Sequence, residues 1–85
     1  MKLLWHERAW NDYLYWQTQD RKTLKRLNML LLDTMRNPFD GIGKPEPLKH
    51  QNGYWSRRID ETNRIVYKID GDAIVVAACK GHYED

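Results

Sequence analysis

The chain has 85 residues, with 14 Lys and Arg against 12 Asp and Glu, a net charge of +2, and 41% hydrophobic residues. That length gives a single domain, residues 1–85, able to bury little more than ~60% of its unfolded surface, and the apolar content excludes a disordered chain. The near balance of charge excludes a protein that coats nucleic acid indiscriminately, so the placement of the charges matters more than their sum.

Lys2-Leu3-Leu4-Trp5 reads as a short strand that must find a sheet formed later in the sequence. Residues 7–19 carry Trp10, Tyr13, Leu14 and Gln17 at helical spacing, with Ala9 and Trp16 beside that stripe, and predict a helix. Asp20 is a suitable N-cap for a second helix over residues 21–35. Its inner face is Leu24, Leu27, Leu31 and Met35, and its outer face is Arg21, Lys22, Lys25 and Asp33. Asn37-Pro38 stops it. So short a connection predicts a helical hairpin.

The loop over residues 37–53 holds all three prolines. Pro45 and Pro47 each fix their own φ and bias the residue before them towards extended geometry, which holds Glu46 out stiffly. Strand patterns follow over residues 54–60, 64–69 and 73–80, with Asp70-Gly71 joining the last two tightly. A three-residue loop, Glu61-Thr62-Asn63, sets Ile59 opposite Ile65 and Arg58 on the same face as Arg64. Ile59, Ile65, Tyr67 and Ile69 then pack on the helices, and Arg58, Arg64, Val66 and Lys68 lie on the open face. The expected fold is α+β: an N-terminal strand and a two-helix hairpin packed on one face of an antiparallel sheet. Trp5, Trp10 and Trp16 read as core.

The single cysteine, Cys79, sits in an apolar run and reads as a small buried hydrophobe, which suits a reducing cytoplasm. No signal peptide or membrane span is expected, so the protein is read as soluble and cytoplasmic. His6, His50 and His82 have no metal-ligand spacing, so neither metal nor cofactor is expected. Gly41-Ile42-Gly43-Lys44 lacks the helix and hydroxyl of a phosphate loop, and Ser56 lies in a strand without a nucleophile turn.

What remains matches the needs of RNA cleavage. A neighbouring 2′-hydroxyl can cut the chain if one group removes its proton, another protonates the departing 5′-oxygen, and cations neutralise the phosphorane between them. Glu46 is the candidate base, or else a solvated loop carboxylate. His82 is the candidate acid, or else an exposed residue near a chain end. Arg64 and Arg58 are candidates for the scissile phosphate, since a guanidinium offers paired donors matched to its oxygens, or else they are ordinary strand-surface charge. Lys44, Lys49 and Arg57 could bind flanking phosphates, or merely keep their segments soluble. Tyr83 could stack on a base or share in proton transfer, or simply be amphipathic surface.

The runs Asn37-Pro38-Phe39, Lys44-Pro45-Glu46-Pro47-Leu48-Lys49-His50, Trp55-Ser56-Arg57-Arg58-Ile59, Arg64-Ile65-Val66-Tyr67, Ala77-Ala78-Cys79 and His82-Tyr83 together resemble the YoeB toxins of the RelE/ParE superfamily. Trp5, Trp10, Asp12-Tyr13 and Tyr15-Trp16 agree as well. The resemblance implies a RelE-like, microbial-RNase-like fold and a metal-independent endoribonuclease toxin that cuts mRNA in the ribosomal A site. It also implies a YefM-like antitoxin as partner and, in many members, a homodimer. Carried over, it makes Glu46 the general base, Arg64 the transition-state cation and His82 the general acid, with Tyr83, Arg58 and Lys49 at substrate-binding or catalytic positions. Two other expectations stay open: an RNA- or ribosome-binding inhibitor that does not cut, and a ParE-like inhibitor of DNA gyrase.

Overall fold

A single residue separates the two helices and caps the second. In the computed structural model, which describes residues 1–82, α1 spans Glu7–Gln19 and α2 spans Arg21–Arg36. Asp20 between them is extended at φ −158°. Its carboxylate accepts from the Thr23 N–H at 3.1 Å and from the Thr23 hydroxyl at 2.8 Å. An N-cap of this kind satisfies a donor that the first turn leaves without a partner, and the chain reverses into a hairpin at once.

The strands are β1 (Lys2–Trp5), β2 (Glu46–Pro47), β3 (Tyr54–Arg58), β4 (Arg64–Asp70) and β5 (Ala73–Ala78), in the spatial order β1-β5-β4-β3-β2. The sheet is mixed rather than wholly antiparallel. β1 runs parallel to β5, from Lys2 opposite Ala73 to Trp5 opposite Val76, because the helical hairpin carries the chain across the sheet before β5 forms. β4 and β5 are joined by Gly71 and Asp72, and Gly71 takes φ +60° at the first central position of the turn, where glycine is favoured. One extra residue, Ala77, bulges from β5 between the pairs Val66–Ala78 and Tyr67–Val76.

The core lies between the helices and one face of the sheet: Ala9, Trp16, Leu27, Leu30 and Leu31 pack on Ile59, Ile65, Tyr67, Ile74, Val76 and Cys79. Cys79 is buried as expected, and its thiol is pushed up to about 12 by burial and by the Asp12 carboxylate.

The inner stripe of α1 differs from the expected one. Trp10 is 44% exposed, and Leu14 and Gln17 also face outward. The buried stripe is Ala9, Asp12 and Trp16. Hydrogen bonds decide this rotation: Asp12 accepts the Cys79 N–H at 3.0 Å, and the Trp16 indole donates to the Cys79 carbonyl at 2.8 Å. An apolar count cannot register a buried aspartate that ties a helix to a strand. Trp10 instead joins Trp5 and Tyr13 in an aromatic cluster at the sheet edge, with ring centroids 4.9–5.8 Å apart. In α2, Leu30 and Thr34 join the buried set, and Leu24 and Met35 move to its margin. The Thr34 hydroxyl is satisfied by the Leu30 carbonyl at 2.7 Å.

The turn between β3 and β4 is longer than expected. Arg58, not Asp60, is the last ladder residue; it pairs with Arg64, and Arg57 pairs with Ile65. Asp60 ends the ladder by accepting the N–H groups of Thr62 at 2.9 Å and Asn63 at 2.7 Å. The register is displaced by two residues, an even number, so each side chain keeps its expected face. Ile59, Ile65 and Tyr67 remain under the helices, and Arg58 and Arg64 remain on the other side. Val66 shares that open face yet is buried, being flanked across the sheet by Ser56 and Ala78.

Candidate active site

The proline-framed segment becomes an edge strand. Glu46 pairs with Ser56 and Pro47 with Trp55, while the Leu48 N–H reaches the Tyr54 carbonyl at 2.9 Å. Proline is tolerated there because an edge strand leaves one side of its backbone unpaired. On the approach, the Arg58 N–H donates to the Gly43 carbonyl at 2.7 Å, and a Cβ on Gly43 would sit 2.7 Å from Leu30 Cδ2. Only glycine, here at φ +79°, lets the segment lie this close to α2. Lys44, which follows, takes the uncommon φ of +51° immediately before Pro45.

Cross-strand pairing places Glu46, Ser56, Val66 and Ala78 in one row on the open face. Arg64 lies on the same face, two residues before Val66, and reaches along the row. Its Nη1 donates to Glu46 Oε1 at 3.0 Å and to Ser56 Oγ at 3.3 Å. The Arg64 side chain is 15% exposed and that of Glu46 is 55% exposed, so the pair is open to a ligand. Arg58 stands opposite Arg64 and is exposed. Lys44 and Lys49, also exposed, flank Glu46 along the chain, and Lys68 lies over the Tyr54 ring at 5.4 Å.

Arg64 also locates the end of the described chain. Its backbone N–H donates to the Gly81 carbonyl at 3.1 Å, and the Gly81 N–H donates to Asn63 Oδ1 at 2.8 Å. Arg8 Nη2 holds the neighbouring Lys80 carbonyl at 3.1 Å. Exposed His82 therefore follows a residue bonded to the start of β4, and one arginine connects Glu46 through its side chain with the His82 segment through its backbone. Tyr83 lies outside the described residues.

Arg57 is not where an RNA-binding residue would be. It is fully buried on the helix side of β3, and protein oxygens take its donors. Nη1 bonds Asp33 Oδ2 at 2.7 Å and the Ile42 carbonyl at 3.2 Å; Nη2 bonds the carbonyls of Asn37 and Asp40; Nε bonds the Tyr67 hydroxyl at 3.1 Å. The Tyr67 hydroxyl in turn donates to the Pro38 carbonyl at 2.7 Å. Strand alternation sends adjacent arginines to opposite faces, and a buried guanidinium collects the carbonyls that a loop cannot pair by itself. Asp33, expected on the solvent face of α2, is its counter-ion. The Ile42 N–H, followed by Arg57, holds the Asp33 carboxyl below its ordinary value.

Ser56, Asn63 and Asp33 were named in the sequence reading but not as residues of the site. Ser56 could have been assigned to it, because it lies two residues before Arg58 in a strand and must share its face. Asn63 and Asp33 act through long-range hydrogen bonds that leave no local pattern. Among the described residues no cluster of His, Cys, Asp and Glu could hold a metal ion, and no helix is long and apolar enough to cross a membrane.

Residues 5–83 match the family described as YoeB-like toxin of bacterial type II toxin-antitoxin system. The chain is 55% identical to Toxin YoeB of Escherichia coli (strain K12) over 84 residues, covering 98% of this chain and 100% of that protein. It superposes on a YoeB dimer structure from Staphylococcus aureus with a TM-score of 0.92 and on a heterotetrameric YoeB–YefM complex from the same organism with 0.88. Identity is 44% in both, with 98% of each chain covered. With the fold and nearly the whole sequence in agreement, the chain belongs to the YoeB-like toxin family of bacterial type II toxin–antitoxin systems.

Proposed function

We propose that this toxin is an endoribonuclease that cleaves mRNA in the ribosomal A site and so inhibits translation. The observation that carries the proposal is the bond from Arg64 to Glu46, with Gly81 on the Arg64 backbone, which gathers a carboxylate, a guanidinium and the His82 segment around one strand. In the proposed reaction Glu46 takes the proton of the 2′-hydroxyl, whose oxygen attacks the adjacent phosphorus. Arg64, exchanging Glu46 for phosphate oxygens, stabilises the charge that builds there. His82 as imidazolium protonates the 5′-oxygen as its bond to phosphorus breaks, leaving a 5′-hydroxyl and a cyclic phosphate that water can open to a 3′-phosphate. Arg58, Lys44 and Lys49 supply cations for flanking phosphates, and Tyr83 remains a candidate at the substrate. Arg57 is withdrawn from that set because its donors are used inside the protein.

The partners proposed are a YefM-like antitoxin, by analogy with the Staphylococcus aureus complex, a second copy of the chain, by analogy with the dimer, and the ribosome with its mRNA. All would be met in the cytoplasm. The test is in vitro translation with primer-extension mapping, with and without antitoxin. New 5′ ends that vanish with Glu46→Gln are expected. Arrested translation with intact transcripts would replace the nuclease by a non-cutting inhibitor, and normal translation with inhibited gyrase would point to a ParE-like target.

A further inference from the structure

We infer that Asn63 is a positioning residue for the reaction proposed above: its amide clamps Gly81 and thereby sets where His82 stands relative to Arg64. The inference rests on that nuclease reading, but its geometry is independent of it.

The turn that closes β3 onto β4 is organised around one carboxylate. Asp60 Oδ1 accepts from the N–H groups of Thr62 and Asn63 and from the Thr62 hydroxyl, and the Asn63 side-chain amide donates to both Asp60 oxygens, at 3.2 and 3.1 Å. Burial pushes the Asp60 carboxyl up, but the hydrogen bonds from Asn63 and Thr62 outweigh it and keep the group ionised. An amide whose nitrogen is committed to a carboxylate must turn its oxygen the other way. Here that oxygen receives the Gly81 N–H at 2.8 Å, and the next backbone N–H, of Arg64, closes the clamp on the Gly81 carbonyl at 3.1 Å. Gly81 takes φ +100°, a conformation that costs other residues strain, so the chain turns sharply just where it is gripped. Beyond Gly81 comes His82.

Asn63 acts on the reaction through this relay. Its contact with Gly81 joins sites 18 positions apart and ties the start of β4 to the segment that precedes His82. A general acid displaced by an ångström loses transfer efficiency while leaving RNA binding to the cationic groups.

The experiment compares Asn63→Ala with the exchange Asp60→Asn/Asn63→Asp, which keeps one carboxylate and one amide but trades their places, so that an oxygen still faces Gly81. Single-turnover cleavage on programmed ribosomes should slow by about tenfold to a hundredfold in Asn63→Ala with an unchanged KM, and recover in the exchange variant. Hydrogen exchange at the Gly81 amide should quicken and the His82 imidazole resonances should move in Asn63→Ala, while the Trp16 indole signal stays. Wild-type kcat in Asn63→Ala, or a Gly81 amide and His82 ring that do not respond, would overturn the clamp. A loss expressed in KM, or one the exchange variant fails to repair, would also overturn it. If the wild type itself cuts no mRNA while the Gly81 and His82 signals respond to Asn63→Ala, the nuclease reading fails and the clamp stands.

Discussion

The two faces of the sheet carry the same ion-pair chemistry to opposite ends. Under the helices, Arg57 is fully buried against Asp33 at 2.7 Å, and protein oxygens take the donors of Nε, Nη1 and Nη2. On the open face, Arg64 meets Glu46 at 3.0 Å at a site that solvent and ligand can enter. Arg57 and Arg58 are neighbours in β3, yet one anchors the loop over residues 37–42 and the other faces outward opposite Arg64. Burial decides the role. A buried guanidinium is worth what its absence would leave unpaired, whereas an exposed pair contributes little to stability and stays available for binding.

Five substitutions would break or sharpen that contrast. The largest effect belongs to Glu46→Gln and His82→Gln, each expected to slow mRNA cleavage by about 10²- to 10⁴-fold with urea unfolding unchanged. Wild-type rates in either variant, measured by single-turnover cleavage, would remove that residue from the chemistry. Next comes Arg57→Met, expected to cost about 3–5 kcal/mol of stability, because Asp33 and the carbonyls of the loop lose their donor together. Urea denaturation showing a cost no greater than that of a surface arginine would refute the anchoring role.

Arg64→Ala should reverse the pattern, with cleavage down about 10²- to 10³-fold and stability altered by no more than about 1 kcal/mol. Paired kinetic and unfolding measurements on Arg57→Met and Arg64→Ala test the contrast directly. The smallest effect is acid dependence. Asp33 is held below its ordinary value of 3.8, so its contribution to stability is present above that pH and is lost as pH falls through the lower folded value. Unfolding titrated from pH 6 to pH 2 should therefore be less steep in Asp33→Asn, with the remaining slope coming from groups such as Asp20 and Asp60, whose values are also lowered. An identical acid limb in Asp33→Asn would contradict the pairing.

Much of this was legible in the chain itself. Apolar spacing and the Asp20 cap located the helical hairpin, alternation located β3 and β4, and the double proline marked Glu46 as rigidly held. Even the face shared by Arg58 and Arg64 came through, because a register displaced by two residues preserves parity. The inner stripe of α1 was not legible, since it turns on a buried aspartate rather than on apolar residues. The span of the β3–β4 turn was missed because the Asp60 side chain, not hydrophobic matching, ends the ladder.

By itself, then, the sequence determined the two helices, the longer strands, the faces of β3 and β4 and the candidate residues for phosphodiester cleavage, because periodicity and backbone restriction are local properties. Tertiary structure alone decided which arginine meets Asp33 and which meets Glu46, and that the His82 segment is held beside Arg64. Those outcomes depend on hydrogen bonds between residues far apart in the chain, whose partners exist only after the sheet has closed.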